Sequence, residues 1–396
     1  METLISYLFR KGNQEMIDKT QTDMLGLIRA TLWYEKLSDH TVTRDEYEEL
    51  KRHAIVAIPA SAFSELTISP EIKDEWKKSL LQQISYYTQY KYEQTNLPIS
   101  VPYVVLKGLA AAKYYNHPEL RTMGDIDILI RREDYNTACT MLIENGYKEI
   151  TEQSEEDIGR HRSFIKKNII VEAHASFALL RDSKSQQILD DMLFQNINDT
   201  HYLPDMLNGL VLLCHINQHL AGGLGLRQII DWMLFVDKCL PDDKWSEFQE
   251  IVGKVKLEKL AVTVTQMCIT YLGLPIRKWC ANADEILCNE LMGYVLSCGN
   301  FGNKRIGESS KGEGFFAYVK SLGTFFRLLQ MRGLFNWRAA KKHVWLRPFA
   351  WLYQLRRYLI KGLGRDEAFY KLRNEYTAAK KKNRLLDKLE VKRDSD

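Results

Sequence analysis

Two aspartates, Asp125 and Asp127, stand one residue apart in the apolar segment 124–130, which reads Gly-Asp-Ile-Asp-Ile-Leu-Ile. This alternation predicts a β-strand with the isoleucines on one face and the two carboxylates on the other. Like charges side by side on a strand repel each other unless a positive group lies between them. Mg²⁺ suits that place, because it binds one or two carboxylates together with substrate phosphates. The pair therefore predicts a metal site, and without metal at least one aspartate should be harder to ionise than a free one.

A third acid lies on another predicted strand. Residues 169–174, Ile-Ile-Val-Glu-Ala-His, predict a strand that places Ile170, Glu172 and His174 on one face. A second strand, 161–166, precedes it across a two-residue turn. Glu172 can join the same metal site if its strand lies beside the one that carries the aspartates.

The segments around the aspartates predict the elements that position them. Residues 103–106, Tyr-Val-Val-Leu, are typical of a buried strand. Lys107 and Gly108 interrupt this run, and 109–115 has the composition of a helix that a His-Pro pair ends. Because Lys107 follows a buried strand directly, we expect it to contact phosphate. Arg121, four residues before Asp125, is expected to add positive charge to the pocket or to pair with an acid there.

A further helix is predicted over 132–145, after the Asp-x-Asp strand, with Gly146 at its carboxyl end. Four of its side chains are expected to face inward: Tyr135, Cys139, Leu142 and Ile143.

The order strand, glycine-containing turn, helix, Asp-x-Asp strand resembles the polymerase-β-like nucleotidyltransferase superfamily. The chain is most similar to a large bacterial family described as uncharacterised nucleotidyltransferases. The matching motifs are Leu106-Lys107-Gly108, Tyr115, Arg121, Gly124 to Leu129, Gly146-Tyr147 and Glu172-Ala173-His174. One departure is the first turn, where the wider superfamily usually has Gly-Gly or Gly-Ser and this chain has Lys107-Gly108 followed by Leu109.

The resemblance implies a reaction and a role for each motif. A nucleoside monophosphate would pass from an NTP, with ATP among the candidates, to an acceptor hydroxyl or similar group, and pyrophosphate would leave. Two Mg²⁺ ions, or Mn²⁺, would be held by the catalytic residues Asp125, Asp127 and Glu172. The residues implied to bind the nucleotide are Lys107, Gly108, Arg121 and Gly124.

The helical part of the chain adds candidates for the acceptor side of the site. His215 and His219 stand at i, i+4 on one predicted helix, and Arg227 and Asp231 have the same spacing on the next. The family resembled has a comparable His-x-x-x-His followed by Arg and Asp. With His174, these four residues are expected to converge on one substrate pocket. Zinc binding by the two histidines would need a further ligand, and none stands at a suitable spacing.

The fold class expected is α/β, more narrowly α+β, with a small mixed β-sheet as the nucleotidyltransferase core between helical segments. Among 396 residues, 45% apolar and 27% charged, there is room for two or three domains. Four segments are expected: an N-terminal helical segment 1–95, the core 96–195, a helical substrate-side domain 196–305 and a basic helical C-terminal segment 306–396.

Positive charge is concentrated at the carboxyl end. From Ser321 onward there are 19 Lys/Arg against 7 Asp/Glu, whereas the rest of the chain has an excess of acids. Residues 325–361 hold nine basic residues, many aromatics and no acid. We expect this stretch to pack on the acidic part of the chain. Contact with a membrane surface is an alternative, and nucleic acid is not an expected partner.

The cysteines and the N-terminus predict a cytoplasmic protein. Seven cysteines at irregular spacing, without a Cys-x-x-Cys, indicate reduced thiols. The N-terminus lacks the features of a signal peptide, and no apolar run approaches the roughly 18 residues of a membrane span.

Other functions share some of these features. A glycosyltransferase can use Asp-x-Asp to hold a metal and a sugar nucleotide, but its fold needs a βαβ half before the motif, where 1–95 predicts helices. A non-catalytic scaffold of the same fold would not need all three acids. Toxin–antitoxin transferases are usually much shorter. The acceptor stays open among a small molecule, a peptide, a protein and a sugar.

Overall fold

The computed structural model describes residues 17–35, 40–150, 160–300 and 381–391, with part of 330–356. The chain divides into two compact units, one of residues 1–304 with 389–391 and the other of 305–388 with 392–396. In the second unit, Val344–Phe349 is a 3₁₀-helix, and the rings of Trp337 and Tyr353 stack with centroids 5.0 Å apart. Most of the basic stretch 325–361 lies outside the described residues, so its packing stays a prediction, as do the borders of the four predicted segments.

The amino-terminal part of the first unit is mainly helical. Its elements are α1 Lys19–Trp33, β1 Thr41–Val42, α2 Arg44–Arg52, β2 Thr67–Ile68 and α3 Pro70–Thr95. The two short strands pair in parallel. The long helix α3 begins where Ser69 caps it by accepting a hydrogen bond from the Ile72 amide, with Pro70 at the first helical position.

The central part contains a five-stranded mixed sheet. Its elements are β3 Tyr103–Leu106, α4 Gly108–Ala112, β4 Ile126–Ile130, α5 Tyr135–Glu144, β5 Lys148–Glu149, β6 His161–Lys166 and β7 Ile169–His174. The strand order is β3-β4-β7-β6-β5. Only β4 and β7 pair in parallel, and the other neighbours are antiparallel. The predicted class, α+β with a small mixed sheet among helices, is confirmed.

The core lies against the apolar face of this sheet. Ile126, Ile128 and Ile130 of β4 are fully buried, as the alternation predicts. They belong to one apolar cluster with the side chains of Cys139 and Leu142 from α5. Burying this face of β4 leaves its other face for Asp127.

Six α-helices follow the sheet within the described residues 175–300. They are α6 Ser183–Phe194, α7 Asp205–Leu220, α8 Leu226–Cys239, α9 Trp245–Lys254, α10 Glu258–Leu272 and α11 Glu285–Cys298. The first eleven residues of α8 are all buried, and they include the polar side chains of Arg227, Gln228 and Asp231. Among the described residues, no helix is both long and apolar enough to pass through a lipid bilayer.

Candidate active site

The pairing of β4 with β7 brings two of the predicted metal ligands side by side. Asp127 lies directly opposite Glu172 in the parallel register, so both side chains project from the same face of the sheet. His174, two residues after Glu172, projects from that face as well. One ligand atom from each of these three side chains lies within 4.8 Å of the others.

Asp127 is fully buried, and its two carboxylate oxygens have different surroundings. Oδ1 lies 2.7 Å from the Lys107 ammonium nitrogen and 3.0 Å from Nε2 of His174. Oδ2 has no hydrogen-bond partner among the residues that the structure describes. A buried polar atom left unpaired costs free energy, so Oδ2 is better suited to a ligand than to a purely structural role.

These neighbours decide which acid is difficult to ionise. Burial would raise the pKa of Asp127, but the positive charge of Lys107 and the contact with His174 outweigh it, and the pKa lies below its usual value. Burial, together with the charges of Asp127 and Asp125, raises the pKa of Glu172 to about 7. The prediction, made for at least one aspartate of the pair, does not hold for Asp127, because Lys107 neutralises it and the repulsion falls on Glu172.

Lys107 adopts a backbone conformation that glycine usually takes. Its φ of 53° and ψ of −141° would cost a residue with a side chain about 1–3 kcal/mol. Burial alone would lower the pKa of the Lys107 ammonium, but Asp127 and Asp125 raise it above its usual value, so the side chain is a cation. The ammonium nitrogen also lies 5.9 Å from the centre of the Phe177 ring.

Two tyrosines of α3 hold the turns that carry the site. Gly108 has a φ of +42°, and a Cβ atom there would collide with the hydroxyl oxygen of Tyr90. The same hydroxyl donates a hydrogen bond of 2.8 Å to the carbonyl oxygen of Asp125. Tyr86 donates one of 3.1 Å to the carbonyl oxygen of Gly124. Helix α3 therefore positions both the first turn and the start of the Asp-x-Asp segment.

Helices α7 and α8 supply further groups that line the same cavity, His215, Gln218 and His219 from α7 and Arg227 from α8. The rings of His215 and His219 meet edge to face, with centroids 4.5 Å apart. Burial, followed by the charge of Lys107, lowers the pKa of His215 far below its usual value and that of His219 to about 4. Both imidazoles are thus neutral at pH 7, and the cation that α8 adds beside them is Arg227.

Arg121 and Asp231 form a buried salt bridge next to the cavity-lining residues of α7 and α8. Nε and Nη2 of Arg121 lie 2.7 and 2.6 Å from the two oxygens of Asp231. The Tyr115 hydroxyl donates to the same carboxylate at 2.8 Å. This set of contacts ties α8 to the segment that leads into β4.

Most of the predicted site residues surround one cavity of about 260 Å³. Eleven of the twelve line it: Lys107, Gly108, Arg121, Gly124, Asp125, Asp127, Glu172, His174, His215, His219 and Arg227. Asp231 does not, because it lies behind Arg121. The cavity thus combines three acids with the cations Lys107 and Arg227, an arrangement suited to a metal ion and phosphate groups.

Comparison with known proteins agrees with this geometry. The sequence model of a family described as uncharacterised nucleotidyltransferase matches residues 45–273, more than half of the chain. The chain belongs to this family. No curated protein and no solved structure matches the chain significantly. The matched region contains all twelve candidate residues and the tyrosines of α3.

The side chains present fit a divalent metal ion. The unpaired Oδ2 of Asp127 and the neighbouring Glu172 carboxylate are oxygen ligands of the kind that Mg²⁺ and Mn²⁺ prefer. Asp125, the third predicted ligand, lines the same cavity. Among the described residues, however, the closely grouped third ligand is His174 rather than Asp125. Its imidazole can either bind the metal or orient Asp127.

Several residues that line the cavity or hold its turns were not predicted from the sequence. His161 lines the cavity and stacks on His174, with ring centroids 5.4 Å apart. Phe177 meets His174 edge-on at 5.9 Å. A signal for His161 existed, because a two-residue turn in the predicted hairpin places it opposite His174. For Tyr90 there was only helical spacing, which does not reveal what a side chain contacts.

Proposed function

We propose that the protein transfers a nucleoside monophosphate from an NTP to an acceptor by a metal-dependent mechanism. The observation that carries the proposal is the cavity in which Asp127 and Glu172 lie in register beside the cation Lys107. Carboxylates paired in this way suit metal ions, and cations beside them suit the phosphates that such ions accompany. Membership of the nucleotidyltransferase family supports the same reaction class.

Asp125, Asp127 and Glu172 would hold two Mg²⁺ or Mn²⁺ ions. When bound, these ions would lower the pKa of the acceptor hydroxyl and neutralise charge on the leaving pyrophosphate. His174 and Lys107 fix the orientation of the Asp127 carboxylate through Oδ1. That leaves Oδ2 of Asp127 for ligand binding.

The reaction forms one bond and breaks one. The acceptor oxygen attacks the α-phosphorus, and the bond from that phosphorus to the bridging oxygen of the β-phosphate breaks. Pyrophosphate leaves with the electron pair, and the proton of the acceptor passes to water. Lys107 and Arg227 would bind phosphate oxygens, and Gly108 and Gly124 would let the backbone approach them closely. Arg121, whose guanidinium is engaged by Asp231, would position α8 rather than contact phosphate directly.

The acceptor would lie against the wall formed by His215, Gln218 and His219. Neutral imidazoles and an amide can form hydrogen bonds with hydroxyl and amine groups, and they add no charge to the site. The polar character of this wall favours a polar small molecule, sugar, peptide or protein side chain. We propose a cytoplasmic location, because the cytoplasm supplies ATP and keeps cysteine thiols reduced.

The test is incubation of the purified protein with Mg²⁺ and each NTP labelled at the α-phosphate, alone and with cell extract. Label should enter a product with wild type and not with Asp127→Asn. An NTP labelled at the γ-phosphate should release its label as pyrophosphate. Transfer of γ-label to the acceptor would show a kinase instead. Asp191→Asn, at an exposed acid outside the cavity, is the matched control and should transfer label as wild type does.

A further inference from the structure

Lys107 stands in the position of a bound cation. Its ammonium nitrogen lies 2.7 Å from Oδ1 of Asp127, and its side chain is 12% exposed. Asp125, Glu172 and Arg227 line the same cavity, and a metal ion bound to Asp127 would lie next to this ammonium. A divalent cation and an ammonium group close to one carboxylate repel each other.

The backbone at Lys107 indicates that this lysine has a role beyond pairing with an acid. A positive φ of 53° is costly for lysine and free for glycine. Strain of this kind persists at functional sites. The turn leads directly into Gly108, where the tyrosine hydroxyl of Tyr90 leaves no room for another side chain. Lys107 therefore combines a strained backbone with a positively charged side chain inside the cavity.

We propose that Lys107 is an internal counter-cation, which neutralises Asp127 while the site is free and moves to the triphosphate when metal and nucleotide enter. The inference rests on the proposed function and deepens it. Lysine suits this exchange, because its ammonium is a point charge on a flexible stem with no fixed geometry. The side chain stays protonated throughout, so the exchange moves a charge and transfers no proton.

The exchange couples metal binding to triphosphate binding. Without triphosphate, Lys107 stays on Oδ1 of Asp127 and repels a metal ion that binds the unpaired Oδ2, so the metal binds weakly. With triphosphate present, Lys107 gains a new anionic partner, and the metal binds more tightly. By linkage, the metal must tighten triphosphate binding by the same factor.

Calorimetric titration with Mn²⁺, in the presence and absence of tripolyphosphate, measures this coupling without any catalysis. Tripolyphosphate carries the anionic chain without a base, so the unknown base preference does not matter. Lys107→Met removes the charge and keeps the length of the side chain. Lys107→Gly removes the charge, and glycine adopts the positive φ at this position without strain. This variant replaces Lys107→Met if the Met variant does not fold. Lys113→Met is the matched control, because Lys113 pairs with Asp205 and does not line the cavity.

In wild type and Lys113→Met, tripolyphosphate should tighten Mn²⁺ binding by about tenfold or more. In both Lys107 variants, Mn²⁺ alone should bind about tenfold more tightly than in wild type, and tripolyphosphate should add little. Equal Mn²⁺ affinity in wild type and the Lys107 variants would overturn the inference and leave the proposed function standing. If neither wild type nor any variant bound Mn²⁺ at the concentrations at which Mn²⁺ supports enzymes, both the inference and the proposed function would be overturned.

Discussion

Asp231 holds Arg121 through both of its carboxylate oxygens, at 2.7 and 2.6 Å, with each side chain at most 3% exposed. This salt bridge joins α8, whose Arg227 lines the cavity, to the segment that enters the Asp-x-Asp strand. The residue that sequence reasoning placed on the acceptor side is therefore a structural partner of the residue that it placed on the triphosphate.

The first prediction concerns this pair. Asp231→Ala leaves a buried guanidinium without its counter-charge, so it should lower the free energy of unfolding by about 3–5 kcal/mol. Tyr115→Phe removes one hydrogen bond to the same carboxylate and should cost about 1 kcal/mol. Asp205→Ala, which breaks the exposed pair with Lys113, should cost at most about 1 kcal/mol. Urea unfolding measures all three.

One result would instead support a direct role of Arg121 in nucleotide binding. If Arg121→Met were as stable as wild type but bound NTP much more weakly, Arg121 would contact the triphosphate and the salt bridge would be incidental.

The second prediction compares two glycines of the site. Gly108→Ala places a Cβ atom against the Tyr90 hydroxyl at a positive φ, so it should displace Tyr90 and lose its hydrogen bond to Asp125. A loss of about 2 kcal/mol or more in unfolding free energy is expected. In Gly124→Ala, the nearest atom to the new Cβ is 3.8 Å away on Arg227, so the fold should be nearly unaffected.

A double-mutant cycle checks the cause. Tyr90→Phe removes the hydroxyl that the new methyl group would meet, so Gly108→Ala should cost less in the Phe background than in wild type. Strictly additive costs would show that backbone strain, and not Tyr90, selects glycine at this position.

The third prediction follows from the pKa of Glu172, about 7 in the folded protein against 4.5 for an ordinary glutamate. The folded state holds the proton over this range more tightly than the unfolded state does. Stability due to Glu172 should therefore fall as pH rises from about 4.5 to 7, by about 3 kcal/mol at most. The lowered pKa values of His215 and His219 act in the opposite direction below pH 6.5.

Comparison with Glu172→Gln isolates this contribution, because the histidines are common to both proteins. In metal-free buffer, the variant should gain stability relative to wild type from pH 5 to about pH 7 and should gain no more above that range, as followed by urea unfolding. A difference that does not change with pH would mean that Glu172 is ionised normally and that the three acids do not repel one another.

Local patterns in the sequence were enough to predict much of the sheet. The hairpin β6–β7 has the predicted bounds, and its turn residues Lys167 and Asn168 both have positive φ, as a two-residue hairpin turn requires. The alternation of acids with isoleucines placed Asp127 on the face away from the core. These features depend on neighbours along the chain, which a sequence displays directly.

Contacts between distant segments were the part that could not be predicted. Nothing near Tyr90 reveals that it donates to Asp125, because the two are joined only by the packing of α3 on the sheet. The same holds for Arg121 and Asp231. The prediction that Ile143 faces inward is wrong, since it is 45% exposed. At 100° per residue it lies at the edge of the face formed by Cys139 and its buried neighbours, and the helix ends one residue later.

The thermal melt of wild type and Asp127→Asn, with Mg²⁺ and each of the four ribonucleoside triphosphates, tests the central claim most directly. Ligand at about 100 times its dissociation constant stabilises the folded state by about 2.7 kcal/mol. With at least one NTP, the melting temperature of wild type should rise by several degrees when Mg²⁺ is present. Asp127→Asn should show no such rise, whatever its own melting temperature, and Asp191→Asn should behave as wild type. No rise in wild type with any NTP, or an equal rise in Asp127→Asn, would contradict the account of this cavity as a metal–nucleotide site.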